Sequence, residues 1–270
     1  MKGPEPLLPL APTVRARLSG TPLVVMLDVD GTLAPIAARP EEAEVPPETR
    51  RAVAALAARD GVHVALVSGR AAGDARRMVA VSNVWVIGNH GAEMVSPSGE
   101  EIVDAQVAPF ECAMAQARTT LAQLLEPVKG AIVEDKRWTL SVHYRQVDPR
   151  IIPRVQGCVD RVATGLGLRV HEGKMVCEVR PPVRVDKGTA VFTLAQRLGG
   201  LAEGAGLLFI GDDRTDEDAF RVLRYRAPLA VTVRVAEDPR AETVAEFTVP
   251  DPPAVRALLV ELSKGELARA

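Results

Sequence analysis

Residues 23–35, LVVMLDVDGTLAP, carry an apolar run straight into two carboxylates, Asp28 and Asp30, just ahead of Gly31 and Thr32. A carboxylate at the end of a strand can attack phosphorus and form an aspartyl-phosphate, which splits one hard displacement into two easier ones. A second acid two positions on can protonate the departing alkoxide and then activate the water that clears the intermediate. The loop from Val29 to Leu33 can turn backbone N–H groups toward phosphoryl oxygens, with Gly31 permitting close approach. Two anions facing a phosphate dianion repel, so the site requires a cation. Mg²⁺ suits it, because it prefers oxygen ligands shared among carboxylates, water and phosphate. The segment IGDDRTDEDAF, residues 210–220, supplies further acids. Asp212 suits a direct ligand, and Asp213 and Asp216 suit outer or water-mediated roles. Lys187, in VDKGTA, can neutralise the phosphoryl group and hold Asp28. Ser68, in LVSGR, offers a hydroxyl to a phosphate oxygen.

Each of these residues also has an ordinary explanation. A DxD pair is often a loop or a cap. Asp216 and Glu217 favour a helix start through the dipole. Lys187 suits a surface and Ser68 a helix N-cap. What separates the readings is coincidence, since every one of these groups follows an apolar run and all suit one reaction.

The elements that must position them alternate. Apolar runs at 22–27, 62–67, 84–88, 206–211 and 228–233 read as strands, and 46–60, 73–81, 186–199, 216–224 and 251–265 read as helices. Short continuous apolar strands between helices predict an α/β fold with a parallel sheet covered on both faces. Such sheets bind ligands beyond the carboxyl ends of their strands, where Asp28, Ser68 and Asp212 fall. The middle differs. Helices over 109–127 and 148–167 alternate with pairs of strands, which predicts an inserted α+β unit with a small antiparallel sheet. The expected division is a flexible tail over 1–20, a core over 21–108 and 183–270, and an insertion over 109–182. In the inserted strands Leu140, Val142 and Tyr144 share one face, as do Met175, Cys177 and Val179. Thr139, Ser141, His143 and Arg145 take the other, with Lys174, Val176, Glu178 and Arg180, and Glu134 and Lys136 share a face. Spacing leaves two readings of the polar side, a solvated sheet face or a binding surface.

The 270 residues suffice for one large domain or two modest ones. At 47% hydrophobic the chain is globular. A net charge of −2 gives no general pull toward nucleic acid or anionic membrane, so an anion site must be local. Three cysteines, Cys112, Cys158 and Cys177, show no CxxC spacing and read as buried reduced thiols. Prolines interrupt the N-terminus where a signal peptide needs an apolar core, and no run is long enough for a membrane span. A cytoplasmic protein, in the monomeric state, is expected. His63 and His171 show no partner pattern and read as structural. Trp138 suits either a sugar-stacking or a packing role.

The motifs DVDGT, VSGR, DKG and GDDRTDED resemble those of the haloacid dehalogenase superfamily of aspartate-nucleophile phosphotransferases. The resemblance implies a Rossmannoid core and, from the insertion between the second and third motifs, a C2-type cap. GNHGAE, EDKRWTLSVHYR, GKMVCEVRP and GDDRTDEDAF are similar to the signatures of trehalose-6-phosphate phosphatases. The family implies Asp28 as nucleophile and Asp30 as acid and base. It implies Mg²⁺ on Asp28, the carbonyl of Asp30 and Asp212, with Asp213 and Asp216 behind, and Ser68 and Lys187 on the phosphoryl group. Gly31, Thr32, Arg70, Asn89, His90 and Gly91 would meet the substrate from the core. Glu134, Lys136, His143, Arg145, Lys174, Glu178 and Arg180 would meet it from the cap, since paired charges left unmatched by a wrong sugar discriminate strongly. Cap closure would exclude water. With no glycosyltransferase segment before the motifs, a free-standing phosphatase is expected. Other sugar-phosphate phosphatases share the core motifs, namely glucosyl- or mannosyl-3-phosphoglycerate and sucrose phosphate enzymes. So would a sugar bisphosphate-dependent mutase, whereas a non-catalytic sensor would be expected to have lost Asp28 or Asp30.

Overall fold

The computed structural model describes residues 4–37, 42–173, 175–238 and 242–265. Backbone packing separates two compact units, one formed by residues 1–102 and 186–270 and the other by 103–185.

The larger unit is built on a nine-stranded sheet. In chain order its strands are β1 (Glu5–Pro6), β2 (Leu23–Asp28), β3 (Val62–Val67), β4 (Val84–Gly88), β5 (Glu93–Val95), β6 (Glu101–Val103), β11 (Gly206–Gly211), β12 (Val231–Val235) and β13 (Phe247–Val249). Their spatial order is β1-β13-β12-β11-β2-β3-β4-β5-β6. The strands from β13 to β4 pair in parallel, and β5 turns back antiparallel on β4. Every residue of β2 and β11 is buried, as a sheet covered on both faces requires. Alternation then sorts the side chains. Leu23, Val25 and Leu27 enter one core with α1 (Pro12–Leu18), α2 (Pro47–Ala57), α3 (Ala72–Val79) and α8 (Pro252–Ser263). Val24 and Met26 enter the opposite core with α6 (Lys187–Arg197) and α7 (Asp216–Arg226). This is the α/β core with a parallel sheet expected from the strand–helix alternation, and it agrees with the Rossmannoid core that the resemblance implies.

Register fixes the chemistry-bearing edge. Ile210 lies opposite Leu27, and Val67 opposite Asp28. Asp28, Ser68 and Asp212 therefore leave the sheet within one residue of each other along the strand direction.

The smaller unit has α4 (Glu111–Leu125) and α5 (Ile152–Gly165) packed on a four-stranded sheet in the order β7-β8-β10-β9. Its strands are β7 (Ile132–Asp135), β8 (Leu140–His143), β9 (Arg169–Gly173) and β10 (Val176–Arg180), all paired antiparallel. Leu140, Val142, Tyr144, Cys177 and Val179 join Met114, Leu121, Val155 and Val159 in one core, the side that alternation assigned to packing. Trp138 is buried, as a packing aromatic, and the guanidinium of Arg137 lies over its ring.

Two expectations are corrected. The stretch expected as a flexible tail is folded from residue 4 onward. Glu5–Pro6 pairs with β13, and Leu7, Leu10, Val14 and Leu18 are buried against the α2/α8 side of the sheet. Arg17 fixes the helix by donating to both carboxylate oxygens of Glu246 and to the carbonyls of Leu229 and Ala230. The helix escaped notice because seven residues hold too few turns for a periodicity. The thiols are not all buried, since Cys112 is exposed and Cys158 half-buried, with only Cys177 in a core. Strands β5, β6 and β13 follow short runs that carry little apolar signal.

Replacing Leu18 by Ala should cost about 2–5 kcal/mol, the range for emptying a buried leucine site, measured as a lowered urea midpoint at unchanged slope. A loss below about 0.5 kcal/mol, the level of ordinary surface substitutions, would show that this helix contributes nothing to the core.

Candidate active site

Asp28 is the last residue of β2 and is 3% exposed. Its Oδ1 accepts from the Nζ of Lys187 at 2.7 Å, and the same Nζ donates to Asp216 Oδ1 at 2.9 Å. Lys187 is the first residue of α6, whose N-cap Asp186 accepts from the Thr189 N–H. Gly188 lets α6 lie close to α7, because a Cβ there would sit 2.6 Å from the Asp218 carbonyl oxygen. The ammonium is thus delivered by a capped helix packed on the helix that starts with Asp216. The surface reading of Lys187 fails: it is 3% exposed.

Asp216 does more than favour a helix start. It is fully buried, and its Oδ2 accepts from the backbone N–H groups of Asp212 and Asp213, each at 3.0 Å. It therefore shapes the loop after β11 while facing Lys187. A Cβ at Gly211 would collide with Asp216, so glycine is required there. Asp213 turns back on its own loop, accepting from the N–H and hydroxyl of Thr215 and the N–H of Asp216, and lies 3.9 Å from Lys187 Nζ. Asp212 points the other way. A Cβ at Gly31, whose φ is +84°, would overlap its carboxylate. The close approach that Gly31 permits is thus to Asp212. Within the turn, Gly31 donates to the Ala34 carbonyl, and Leu33 and Ala34 donate to that of Val29. The N–H groups of Gly31 and Leu33 are thus already used inside a loop that was expected to offer them to a phosphoryl group.

The electrostatics follow from packing three acids around one buried cation. Burial pushes Asp28 well above the usual carboxylate range, and Asp216 and Asp212 add to it against the pull of Lys187. Burial raises Asp212 to about 7, with Asp216 and Asp213 adding. Burial likewise raises Asp216 to about 6 despite Lys187. Burial opposes the charge on Lys187, but Asp28, Asp216 and Asp213 hold it as an ammonium with its pKa raised. Asp213 shows the reverse balance, because Lys187 and the Thr215 and Asp216 hydrogen bonds outweigh its burial and lower it.

A hard cation fits this donor set. Asp28, Asp212 and Asp216 each offer a carboxylate oxygen, and the three lie within 4.8 Å of one another. Asp212 Oδ1 is buried and accepts no hydrogen bond, and the buried hydroxyl of Thr32 is likewise unmatched. Unpaired buried oxygens are costly unless a ligand completes them.

Ser68, buried after β3, does not cap α3. Its hydroxyl accepts from the Arg70 N–H at 3.1 Å, and its carbonyl accepts from His90 N–H. Arg70 grips both oxygens of the Asp30 carboxylate at 2.7 Å. Asn89, His90 and Gly91 form a tight 3₁₀ turn after β4, with φ of +50°, +56° and +110°.

A family model described as trehalose-phosphatase matches residues 26–253. The chain belongs to the trehalose-phosphatase family. It is 38% identical over 270 aligned residues to the probable trehalose-phosphate phosphatase 9 of rice, covering 92% of this chain and 71% of that one. To the trehalose-phosphate phosphatase of Mycobacterium leprae it is 34% identical, covering 84% of this chain and 54% of that protein. An uncharacterized glycosyl hydrolase of Mycobacterium tuberculosis is 37% identical over 91% of this chain, which spans only 18% of that much longer protein. Among solved structures, a trehalose-6-phosphate phosphatase related protein superposes with a TM-score of 0.77 at 24% identity, over 92% of this chain and all of that one. The C-terminal domain of the Candida albicans trehalose-6-phosphate phosphatase does so at 0.73 and 23%, over 97% and 98%. These two likenesses are of fold.

In the smaller unit of this trehalose-phosphatase family member, the polar sheet face holds a continuous charge cluster. Glu134 Oε2 lies 2.8 Å from His143 Nε2 and 3.7 Å from Lys136 Nζ. Lys136 lies 3.8 Å from Glu178, which also pairs with Arg180. Arg145 is exposed beyond the end of β8, and Lys174 lies outside the described residues. His171 stands opposite Glu178 on β9, its pKa lowered by burial and by Arg180.

Two residues with clear positioning work, Glu93 and Glu217, are not assigned that work by the sequence. Glu93 accepts from the Ala72 N–H and from the Asn89 side-chain amide, tying the 3₁₀ turn to the start of α3. Its place inside GNHGAE was the available signal. Glu217, read as a dipole partner, instead binds Arg234, the Thr243 hydroxyl and the Val244 N–H. Ser141 is buried in the register row between Glu134 and Glu178.

Replacing Lys187 by Met keeps the side-chain length but removes the charge between two buried acids. The expected loss is about 3–5 kcal/mol, read from urea melts at neutral pH. A loss under about 1 kcal/mol, the level of an exposed ion pair, would contradict the buried geometry.

Proposed function

We propose that the chain hydrolyses trehalose 6-phosphate to trehalose and phosphate through an aspartyl-phosphate on Asp28. The observation that carries this reading is the position of Asp28, buried at the carboxyl end of a central strand and held by Lys187 at 2.7 Å, in a trehalose-phosphatase family member.

In the proposed first step a carboxylate oxygen of Asp28 attacks phosphorus. The bond from phosphorus to the sugar oxygen breaks, its electron pair stays on that oxygen, and Asp30, entering the step as the neutral acid, gives it the proton that the second step returns. In the second step water attacks phosphorus, its proton passes to Asp30, and the phosphorus–Asp28 bond breaks to release phosphate. Lys187 fixes the attacking carboxylate in both steps and faces the phosphoryl charge. The hydroxyls of Thr32 and Ser68 are assigned to phosphoryl oxygens. The unmatched, buried Thr32 hydroxyl supports its part.

Mg²⁺ is the proposed cation, held by Asp28, Asp212 and Asp216 with the Asp30 carbonyl; when bound it supplies positive charge against the clustered acids and the phosphoryl oxygens. The unpaired oxygen of Asp212 supports this assignment. Asp213, engaged within its own loop, is assigned to shaping that loop.

The smaller unit is proposed as the specificity cap, bounded near 103 and 185, with Glu134, Lys136, His143, Glu178 and Arg180 reading the disaccharide. Their mutual pairing supports this, because a sugar that matches the cluster replaces its hydrogen bonds and one that does not leaves charges unpaired. A reducing cytoplasmic compartment suits the free thiols of Cys112, Cys158 and Cys177.

Phosphate release is to be measured on trehalose 6-phosphate, sucrose 6-phosphate, glucose 6-phosphate and glucosyl-3-phosphoglycerate. Trehalose 6-phosphate should be strongly preferred, and Asp28→Asn should lose at least about 10³-fold in turnover while melting normally. A preference for another ester would reject the sugar, and substantial activity in Asp28→Asn would reject the nucleophile. Separately, Mg²⁺ should raise the thermal midpoint of the wild-type protein, and Asp212→Asn should reduce that shift. Equal shifts in both proteins would place the cation elsewhere.

A further inference from the structure

We propose that Arg70 is the positioning residue for Asp30, and that its guanidinium serves to hold the carboxylate through which protons pass. The inference rests on the reading of Asp30 as acid and base given above, and moves Arg70 out of the substrate-binding group in which the sequence motifs set it.

The contact is a fork on a fork. Arg70 Nε donates to Asp30 Oδ2 and Nη2 to Asp30 Oδ1, both at 2.7 Å. Two parallel charge-assisted bonds fix the plane of the carboxylate as well as its distance. An ordinary exposed pair is loose because both side chains swing. Here the base of Arg70 cannot. Its N–H donates to the Ser68 hydroxyl, and its carbonyl accepts from the Asn89 N–H. Gly69 before it packs against the His90 ring, where a Cβ would intrude. The base of Asp30 is held too, by the turn in which Gly31 donates to Ala34 and Leu33 to Val29.

What remains free to swing is the Asp30 side chain itself. Its side chain is 40% exposed, against 20% for Arg70. The other acids of the site are fixed by burial or by backbone donors. Asp28 and Asp216 share the buried ammonium, and Asp213 is tied to its own loop. Asp30 has its carboxylate held from the neighbouring strand end, by Arg70. A misplacement of about 1 Å in a reacting group costs on the order of 10²-fold, so the fork is worth having for position alone.

Position of the proton donor matters in proportion to how badly the leaving group needs it. A sugar alkoxide needs the proton as the phosphorus–oxygen bond breaks, whereas 4-nitrophenolate leaves without one. The value of kcat/KM reports only events up to departure of the leaving group, so a comparison of two esters isolates the donor role of Asp30 from its later role toward water. A phosphoryl-contacting or merely structural arginine would harm both esters alike, and a sugar-contacting one would harm the sugar ester equally whether residue 30 is Asp or Asn.

The experiment measures kcat/KM for trehalose 6-phosphate and for 4-nitrophenyl phosphate in Arg70→Gln, Arg70→Lys, Asp30→Asn and the Arg70→Gln/Asp30→Asn double variant. Arg70→Gln should lose about 10- to 100-fold on the sugar ester, and at least tenfold less on the aryl ester. Arg70→Lys, which keeps charge but not the fork, should fall between. In the Asp30→Asn background Arg70→Gln should add no more than about threefold, because both act through one group. Equal losses on the two esters would overturn the inference. So would full additivity in the double variant, or a sugar-ester loss confined to KM. The Lys variant keeps the test decisive if the Gln variant folds poorly. If the wild-type protein ignores trehalose 6-phosphate, the proposed substrate fails, and the same comparison is read on whichever alkyl phosphate it does hydrolyse.

Discussion

The site depends on one ammonium buried among acids. Lys187 has almost no contact with water, and carboxylates approach it at 2.7 and 2.9 Å. Burying a charge is expensive unless it is paired and hydrogen-bonded. Here the pairing also joins elements far apart in the chain. It ties the end of β2 to the starts of α6 and α7, so three pieces of backbone meet at one nitrogen. Because Asp216 also accepts from the N–H groups of Asp212 and Asp213, the ammonium indirectly sets the loop after β11. Removing it would leave two buried acids repelling each other at the position where a third, Asp212, already sits unsatisfied.

That arrangement leaves the acids over-supplied with negative charge. One lysine faces Asp28 and Asp216 closely and Asp213 at longer range, and Asp212 Oδ1 has no donor at all. The raised pKa values of Asp28, Asp212 and Asp216 express the same imbalance. A site built this way holds more buried negative charge than its one lysine matches, and perturbed acids of this kind cluster at functional sites. Glycines at 31 and 211 are the backbone counterpart. Each stands where any side chain would enter an aspartate carboxylate, so the turn chemistry and the acid cluster constrain each other.

Much of this was legible in the chain. Continuous apolar runs followed by polar residues located β2, β3 and β11 and hence the edge where Asp28, Ser68 and Asp212 leave the sheet, because a parallel sheet buried on both faces has no other way to be written. Period-two alternation sorted the faces of the inserted sheet correctly, from Leu140, Val142 and Tyr144 through Cys177 and Val179. The misses share a cause, which is that a short element carries too few residues for a period. Helix α1 was read as a tail, although Leu7, Leu10, Val14 and Leu18 are buried and Arg17 anchors it to Glu246 across a separation of 229 positions. No local pattern predicts a partner that distant. Glu93 and Glu217 were missed for a related reason. A carboxylate that accepts from backbone N–H groups looks, in sequence, like any other surface acid.

The charged face of the smaller unit shows where pattern stops and geometry begins. Alternation placed Glu134, Lys136, His143, Glu178 and Arg180 on one side but left a solvated face and a binding surface as equal readings. The structure links them into a chain, from His143 through Glu134 and Lys136 to Glu178 and Arg180. The Lys136 side chain is only 11% exposed and is shared by two carboxylates. A solvated face gains little from such pairing, since exposed ion pairs are worth little and cost side-chain freedom to hold. Pairing of this kind orients donors and acceptors in advance, so that a ligand meeting them would need no further ordering. Among the described residues of the expected set, Arg145, exposed beyond the strand, is the member that this ordering does not reach. The ordered part of the cluster thus consists of side chains that the sheet itself holds in register, with Ser141 buried in the row between the two glutamates.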